Sequence, residues 1–292
     1  MQKKNNIFVI ILLQIFVSDF LFSQNSSQKN ISSNNIAKEV ISEFHLLPFP
    51  NLKDTIYTRD DAFIIVNLKT QMAQLFIRGE KPFDFKVSTG NVKLEEAVET
   101  KEGLFVIQSK LPRWHSVQFD STLLLNWMGF NHGIGFHALL GNRYYRYLGK
   151  RVSSHGCVRI SREVALHIYD KVNFGTPVLV INEEPAVTIA FADKNKKYVK
   201  LKAGEMLNLV RRRIETLYAG NFFLTNPQPL VIDRSNVGHN GLPIGFRKNI
   251  PVNQKVPNFS FDKLEPRETK IPKRKFEILL TPIILEEQFS NK

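Results

Sequence analysis

Cysteine is nearly missing from this sequence: Cys157 is the one cysteine in 292 residues. A single thiol excludes an intramolecular disulfide framework, and a cysteine-rich zinc module is excluded with it. Negative charge is also in short supply. Forty Lys and Arg face 27 Asp and Glu, which leaves a formal net charge of +13 and an isoelectric point near 9.7. A chain so charged is drawn to polyanions, namely nucleic acid, an anionic membrane face or the anionic polymers of a cell envelope. The basic residues are scattered, and Arg211-Arg212-Arg213 and Lys273-Arg274-Lys275 are short, so solvated surface charge is favoured over a nucleic-acid site. No internal repeat is present, and the one long apolar run is Ile7 to Val17.

That run follows Lys3 and Lys4 and is succeeded by Ser18-Asp19 and Phe20-Leu21-Phe22-Ser23-Gln24, the pattern of a secretory signal cleaved after Ser23. A retained anchor is the competing reading. It would bury Asp19 in any span long enough to cross a bilayer, and a carboxylate there is expensive. Asn25 to Asn35 is Ser/Asn-rich and reads as a flexible tether. Export to the periplasm or cell envelope is therefore expected, and there a lone thiol is a liability unless it is buried or has a task.

What is plentiful is apolar side chain: 43% hydrophobic residues and 23 Phe are enough for a large core, and the length suggests one packed core with additional material. Phe63–Leu68, Ala73–Ile77, Phe83–Val87 and Gly103–Ile107 read as strands of a small meander, with Arg78-Gly79-Glu80-Lys81 as a hairpin turn. Residues 111–130, which hold Trp114 and Trp127, resist assignment, and ordinary core packing is the commoner use of such aromatics, so they stay outside the expected site. A helix is predicted over Arg162–Val172, with Ser161 as N-cap and Val164, Ile168 and Val172 on one face. A buried-type strand follows at Val178–Ile181. Beyond Glu184 a helix with Met206, Val210, Ile214 and Leu217 in register is predicted over Glu205–Tyr218, and Phe276–Leu280 reads as a further strand.

The chemistry is concentrated between Phe136-His137-Ala138 and Ser153-Ser154-His155-Gly156-Cys157-Val158-Arg159. Cysteine attacks carbonyl carbon as the thiolate and needs a neighbour to take its proton. His137 alternates with Ile134 and Phe136 and emerges on the face opposite them, which suits a general base; His155, two residues from Cys157, suits shaping of the turn. Gly156 permits close backbone approach, and the Gly156 and Cys157 amides are candidate oxyanion donors. Arg159 could hold a substrate carboxylate or pin the loop to a carbonyl. Zinc on Cys157, His155 and His137 is disfavoured because His-x-Cys is tighter than the usual ligand spacing, so neither a metal nor a cofactor is expected.

His137, a 16-residue spacer and Ser154-His155-Gly156-Cys157-Val158-Arg159 resemble the signature of the L,D-transpeptidase (YkuD-type) catalytic domain, over roughly residues 61–182. The resemblance implies a mainly β (α+β) fold, a β-sandwich or mixed-sheet domain with one main helix after the Cys motif and a C-terminal extension. It implies Cys157 as nucleophile, His137 as proton acceptor and donor, and the Ala138 carbonyl as the group orienting the imidazole, with His155, Gly156 and Ser154 shaping the oxyanion turn. Relatives often carry Gly or Ser at Ala138, and a Thr-Pro pair where this chain has Thr100-Lys101, a looser connection expected to touch no catalytic group. The expected division is a signal peptide (1–23), a tether and lead-in (24–60), the catalytic domain (61–182) and an extension of unknown role (183–292). The implied substrate is a peptidoglycan stem peptide, joined to a neighbouring stem through a Cys157 thioester. Hydrolysis of that thioester, as in an L,D-carboxypeptidase or endopeptidase, and wall binding without turnover stay open as alternatives.

Overall fold

The computed structural model describes residues 44–116 and 121–257. The signal-type N-terminus, the Asn25–Asn35 stretch and the strand expected at Phe276–Leu280 lie outside the described residues. In chain order the strands begin with β1 (Phe44–Pro48), β2 (Asp54–Thr58), β3 (Ala62–Asn67), β4 (Met72–Ile77) and β5 (Phe83–Lys86). They continue with β6 (Gly103–Val106), β7 (Ser109–His115), β8 (Leu123–Asn131), β9 (Ile134–Leu139) and β10 (Val158–Arg159), which leads into helix α1 (Arg162–Lys171). Then come β11 (Pro177–Ile181), β12 (Val187–Phe191), helix α2 (Ala203–Tyr218), β13 (Leu230–Ile232) and β14 (Asn253–Pro257). The fold is mainly β, with mixed sheets and two helices.

A five-stranded sheet in the order β5-β4-β3-β11-β6 forms the middle layer. Its central strands are apolar on both faces. Ala62, Ile64 and Val66 of β3 and Val178 and Val180 of β11 face one core, while Phe63 of β3 and Leu179 of β11 face a second. Near-continuous apolar runs are what a sheet covered on both sides requires. The first core is closed by the sheet β7-β8-β9-β10 and by α1, with Phe105, Phe130 and Phe136 in ring contact at 5.5 and 5.3 Å. The second is closed by the parallel sheet β12-β2-β13 and by the Met206, Val210 and Ile214 face of α2. β1 and β14 form a separate antiparallel ribbon.

Several sequence expectations change here. The β3-β4-β5 meander is present, and Gly79, at φ +80, supplies its left-handed turn residue. The fourth predicted strand, β6, does not extend that meander; it pairs with β11 at the far side of the sheet. A period-two apolar pattern specifies a strand but not its neighbour. Residues 54–58, expected within a lead-in, are the central strand of the third sheet, with Ile56 fully buried. Residues 111–130, unassigned from sequence, supply most of the β7–β8 hairpin.

The two helices begin and end for local reasons. Ser161 caps α1 by accepting from the Val164 amide at 3.2 Å, and Glu163 lies in the first turn. Lys110 of β7 closes the other end, donating to the carbonyls of Tyr169 (2.8 Å) and Val172 (2.7 Å). On α2, Arg213 departs from the expected solvated charge. It pairs with Asp54 of β2, at side-chain exposures of 11% and 2%, and donates to the Gln228 carbonyl at 2.6 Å. Burial raises the Asp54 carboxyl pKa against the opposing pull of Arg213. Among the described residues no helix is long and apolar enough to cross a membrane.

Removing one partner of that pair leaves a buried group uncompensated. Arg213→Met is expected to lower unfolding free energy by about 3–5 kcal/mol in urea titrations, and Asp54→Leu/Arg213→Met to recover most of the loss.

Candidate active site

β9 and β10 run parallel, with Val158 opposite Phe136 and Arg159 opposite His137. Alternation then sorts the side chains. Phe136, Ala138, Val158 and Ile160 enter the first core, and His137, Cys157 and Arg159 line a cavity of about 470 Å³ on the opposite side. Gly135 shares the polar face of β9. A Cβ at Gly135 would meet the Met128 carbonyl oxygen at 2.5 Å, so β8 and β9 approach each other only because no side chain intervenes.

The Cys157 thiol is directed along this glycine-lined start of β9, toward the Gly133 carbonyl at 3.6 Å. The turn that carries it is held from three sides. Ser154, itself buried, donates through Oγ to the Cys157 carbonyl (2.5 Å) and accepts from the Gly156 amide (3.1 Å). Thr100 donates through Oγ1 to the Gly156 carbonyl (2.6 Å) and accepts from the Gly90 amide (2.9 Å). Arg159 Nη1 donates to the Ser153 carbonyl at 2.9 Å. Gly156 adopts φ +139, and a Cβ there would meet Val98 Cγ2 at 2.7 Å.

One expectation needs correction. The Gly156 amide is engaged by Ser154 and is not a free oxyanion donor, so of the two candidates the Cys157 amide is left. The Thr100-Lys101 connection is expected to touch no catalytic group, and Thr100 makes its bond to the Gly156 carbonyl next to Cys157. Arg159 does pin its loop, as one of its two readings required, yet its Nε is buried without a partner.

His137 Nδ1 lies 3.2 Å from the Ala138 carbonyl oxygen. A carbonyl only accepts, so Nδ1 carries the hydrogen and Nε2 keeps its lone pair. Burial pulls the imidazole pKa down to about 4, opposed by the Ala138 bond and reinforced by Arg159. Burial pushes the Cys157 thiol up, opposed by the Gly135 backbone and by Arg159. Both shifts favour uncharged forms: a thiol and a neutral imidazole lining one cavity rather than a thiolate and an imidazolium. His155 lines the same cavity. Among the described residues no cluster of three or more His, Cys, Asp or Glu is arranged to hold a metal ion.

Trp114 and Trp127, kept out of the site on sequence grounds, form part of its wall. Their rings lie 4.6 Å apart, and Trp127 sits 6.1 Å from the His137 ring. Trp127 is buried, so core packing and cavity lining are one job here. The strand alternation that places Trp127 over His137 depends on the β8–β9 pairing, with its register shift between Leu125 and Met128, which no local signal announces.

A single thiol and a carbonyl-oriented imidazole in an apolar-walled cavity are the equipment of a cysteine acyl-transfer site. The comparison with protein families agrees with that class: residues 61–180 match the YkuD family model, the L,D-transpeptidase catalytic domain. The match covers less than half of the chain and is a similarity of that segment. Among solved structures, an L,D-transpeptidase from Mycobacterium smegmatis is 19% identical, over 41% of this chain and 58% of its own, with a TM-score of 0.36. One from Stackebrandtia nassauensis is 23% identical over 47% and 62%, with a TM-score of 0.37. The catalytic domain of the E. faecium L,D-transpeptidase is 23% identical over 42% and 98%, with a TM-score of 0.33. This chain thus spans less than two thirds of the first two of those proteins. No curated protein sequence matches it.

The low imidazole pKa carries a stability consequence. Unfolding restores His137 toward its ordinary value of 6.5, so the unfolded chain binds the extra proton and stability falls as pH drops from about 6.5 to about 4. The loss attributable to this group is expected to be about 3 kcal/mol. Urea titrations at pH 7 and pH 4 on the wild type and His137→Gln measure it as the part that the variant lacks.

Proposed function

We propose that this protein is an exported L,D-transpeptidase of the cell envelope, which cross-links peptidoglycan stem peptides through a thioester on Cys157. The observation that carries the reading is that Cys157 shares its cavity with an imidazole whose Nδ1 is tied to the Ala138 carbonyl, so that Nε2 remains the basic atom. As the sulfur attacks the acyl carbonyl, Nε2 takes the thiol proton, and the tetrahedral oxyanion is met by the Cys157 amide. Collapse breaks the amide bond of the terminal residue, and the imidazolium returns its proton to the leaving amine. A second stem then attacks the thioester with its amine, His137 takes the proton of that amine, and the thiol leaves protonated. The cross-link forms with no net change in the enzyme.

The neutral resting pair fits this sequence, since proton transfer accompanies attack and no charged pair waits in a desolvated cavity. Cys157 also lines a smaller cavity of about 220 Å³, with Glu99, Lys101 and His132 in its wall and without Trp114 or Trp127. A second cavity lined by Cys157 favours a reaction with a donor and an acceptor over simple hydrolysis. The basic character of the chain suits an anionic wall polymer, and the N-terminal signal suits delivery to it. Residues 61–182 would be the catalytic unit and residues 183–292 an extension, whose β12, α2 and β13 help cover the second face of the sheet.

The test is incubation with purified disaccharide-tetrapeptide and mass spectrometry of the products. The wild type is expected to yield cross-linked dimers and an acylated Cys157, and Cys157→Ala neither. His137→Ala is expected to lower the acylation rate by roughly 10²–10⁴-fold. Tripeptide without dimer would move the assignment to an L,D-carboxypeptidase.

A further inference from the structure

Arg159 stands in the wall between two cavities. One holds Cys157 and His137; the other, of about 460 Å³, is walled by Leu140, Arg143, Tyr144, Arg146 and Tyr147. Thr122, Leu139 and Arg159 line both, so the two adjoin, and neither lining includes an Asp or a Glu. The sequence accounts for this. Residues 121–162, which build β8, β9, the catalytic turn and β10, contain six Lys and Arg and no carboxylate.

The guanidinium groups differ in what they already hold. Arg162 is engaged by the Leu140 carbonyl (3.0 Å) and Asn142 Oδ1 (2.8 Å). Arg146 lies over the Tyr147 ring at 4.7 Å, which fixes its position and leaves its charge unneutralised. Arg143 is exposed, with no ion-pair or hydrogen-bond partner among the described residues. The Nε of Arg159 is buried and unpaired. Three guanidinium groups around adjoining cavities, without a counter-ion in the lining, repel one another until an anion joins them.

We propose that the second cavity is a carboxylate subsite, in which Arg143 and Arg146, with Arg159 at the shared wall, hold a free carboxylate of the acyl-donor peptide whose carbonyl Cys157 attacks. The inference rests on the transpeptidase reading and deepens it. The donor class is a stem peptide that retains its α-carboxyl group on the second residue or the side-chain carboxyl of the third, and amidation of that group weakens recognition. The recognition is by charge-assisted hydrogen bonds, and its strength falls with added salt.

The test measures binding apart from turnover. Full-length Cys157→Ala is titrated by calorimetry with a disaccharide-tetrapeptide bearing free carboxylates and with its carboxamide counterparts. The free form is expected to bind at least tenfold more tightly, as loss of a charge-assisted pair implies. Adding Arg143→Gln and Arg146→Gln should bring the ratio to within about threefold, and Arg143→Lys with Arg146→Lys should retain most of it. Both positions are exposed, so an unchanged melting temperature is expected and guards against misfolding. Equal affinities, no measurable binding of either peptide, or a preference untouched by the glutamine substitutions would each overturn the subsite. Cross-linking by the unsubstituted protein is scored separately: its absence overturns the transpeptidase reading, while the binding ratio still judges the subsite.

Discussion

The two-sided burial of the central sheet governs the rest of this structure. β3, β11 and β6 are apolar on both faces, so neither face can be left to water. Each apolar residue removed from solvent contributes about 1.5–3 kcal/mol, and a sheet that exposed one such face would forfeit a large part of its stability. One face is covered by the sheet that carries the candidate nucleophile and base. The other is covered by β2, β12, β13 and α2, most of which lie after the segment that matches the family model. Chain on both sides of the matched segment is thus built into its packing, and the buried Arg213–Asp54 pair ties two of those outer elements together.

The site's chemistry follows from the same layering. β9 and β10 are pinned by Phe136, Ala138, Val158 and Ile160 in the core beneath them, and that anchorage fixes the direction of His137, Cys157 and Arg159 above. Burial favours the neutral forms of both His137 and Cys157, with Arg159 working against imidazolium and for thiolate. Precise placement comes from backbone bonds rather than from charged pairs. Ser154 and Thr100 clamp the turn, and Ala138 selects the tautomer.

Much of this was readable from local pattern. Runs such as Phe63–Leu68 and Val178–Ile181, the Ser161 cap, the α2 register and the Ser154-His155-Gly156-Cys157 turn are all short-range signals, each set by a few neighbouring residues. The failures share one cause, which is that each depends on a partner distant in sequence. β6 pairs across the sheet with β11, and Arg213 finds Asp54. Trp127 reaches His137 only through a hairpin register, and the Gly156 amide is spent on a serine whose rotamer no sequence rule dictates.

By itself, then, the sequence determined the periods of the strands and helices, the identity of the one available thiol, the two histidines able to serve it, and an acid-free stretch around them. Those are properties of residue type and spacing, and they persist in any conformation. Only the tertiary structure decided which histidine has its Nδ1 tied to a carbonyl, which of the Gly156 and Cys157 amides is engaged by a side chain, and which arginines gather around two adjoining cavities. Each of these is a through-space relation at a few ångströms, between groups that the chain brings together only when both faces of its central sheet are buried.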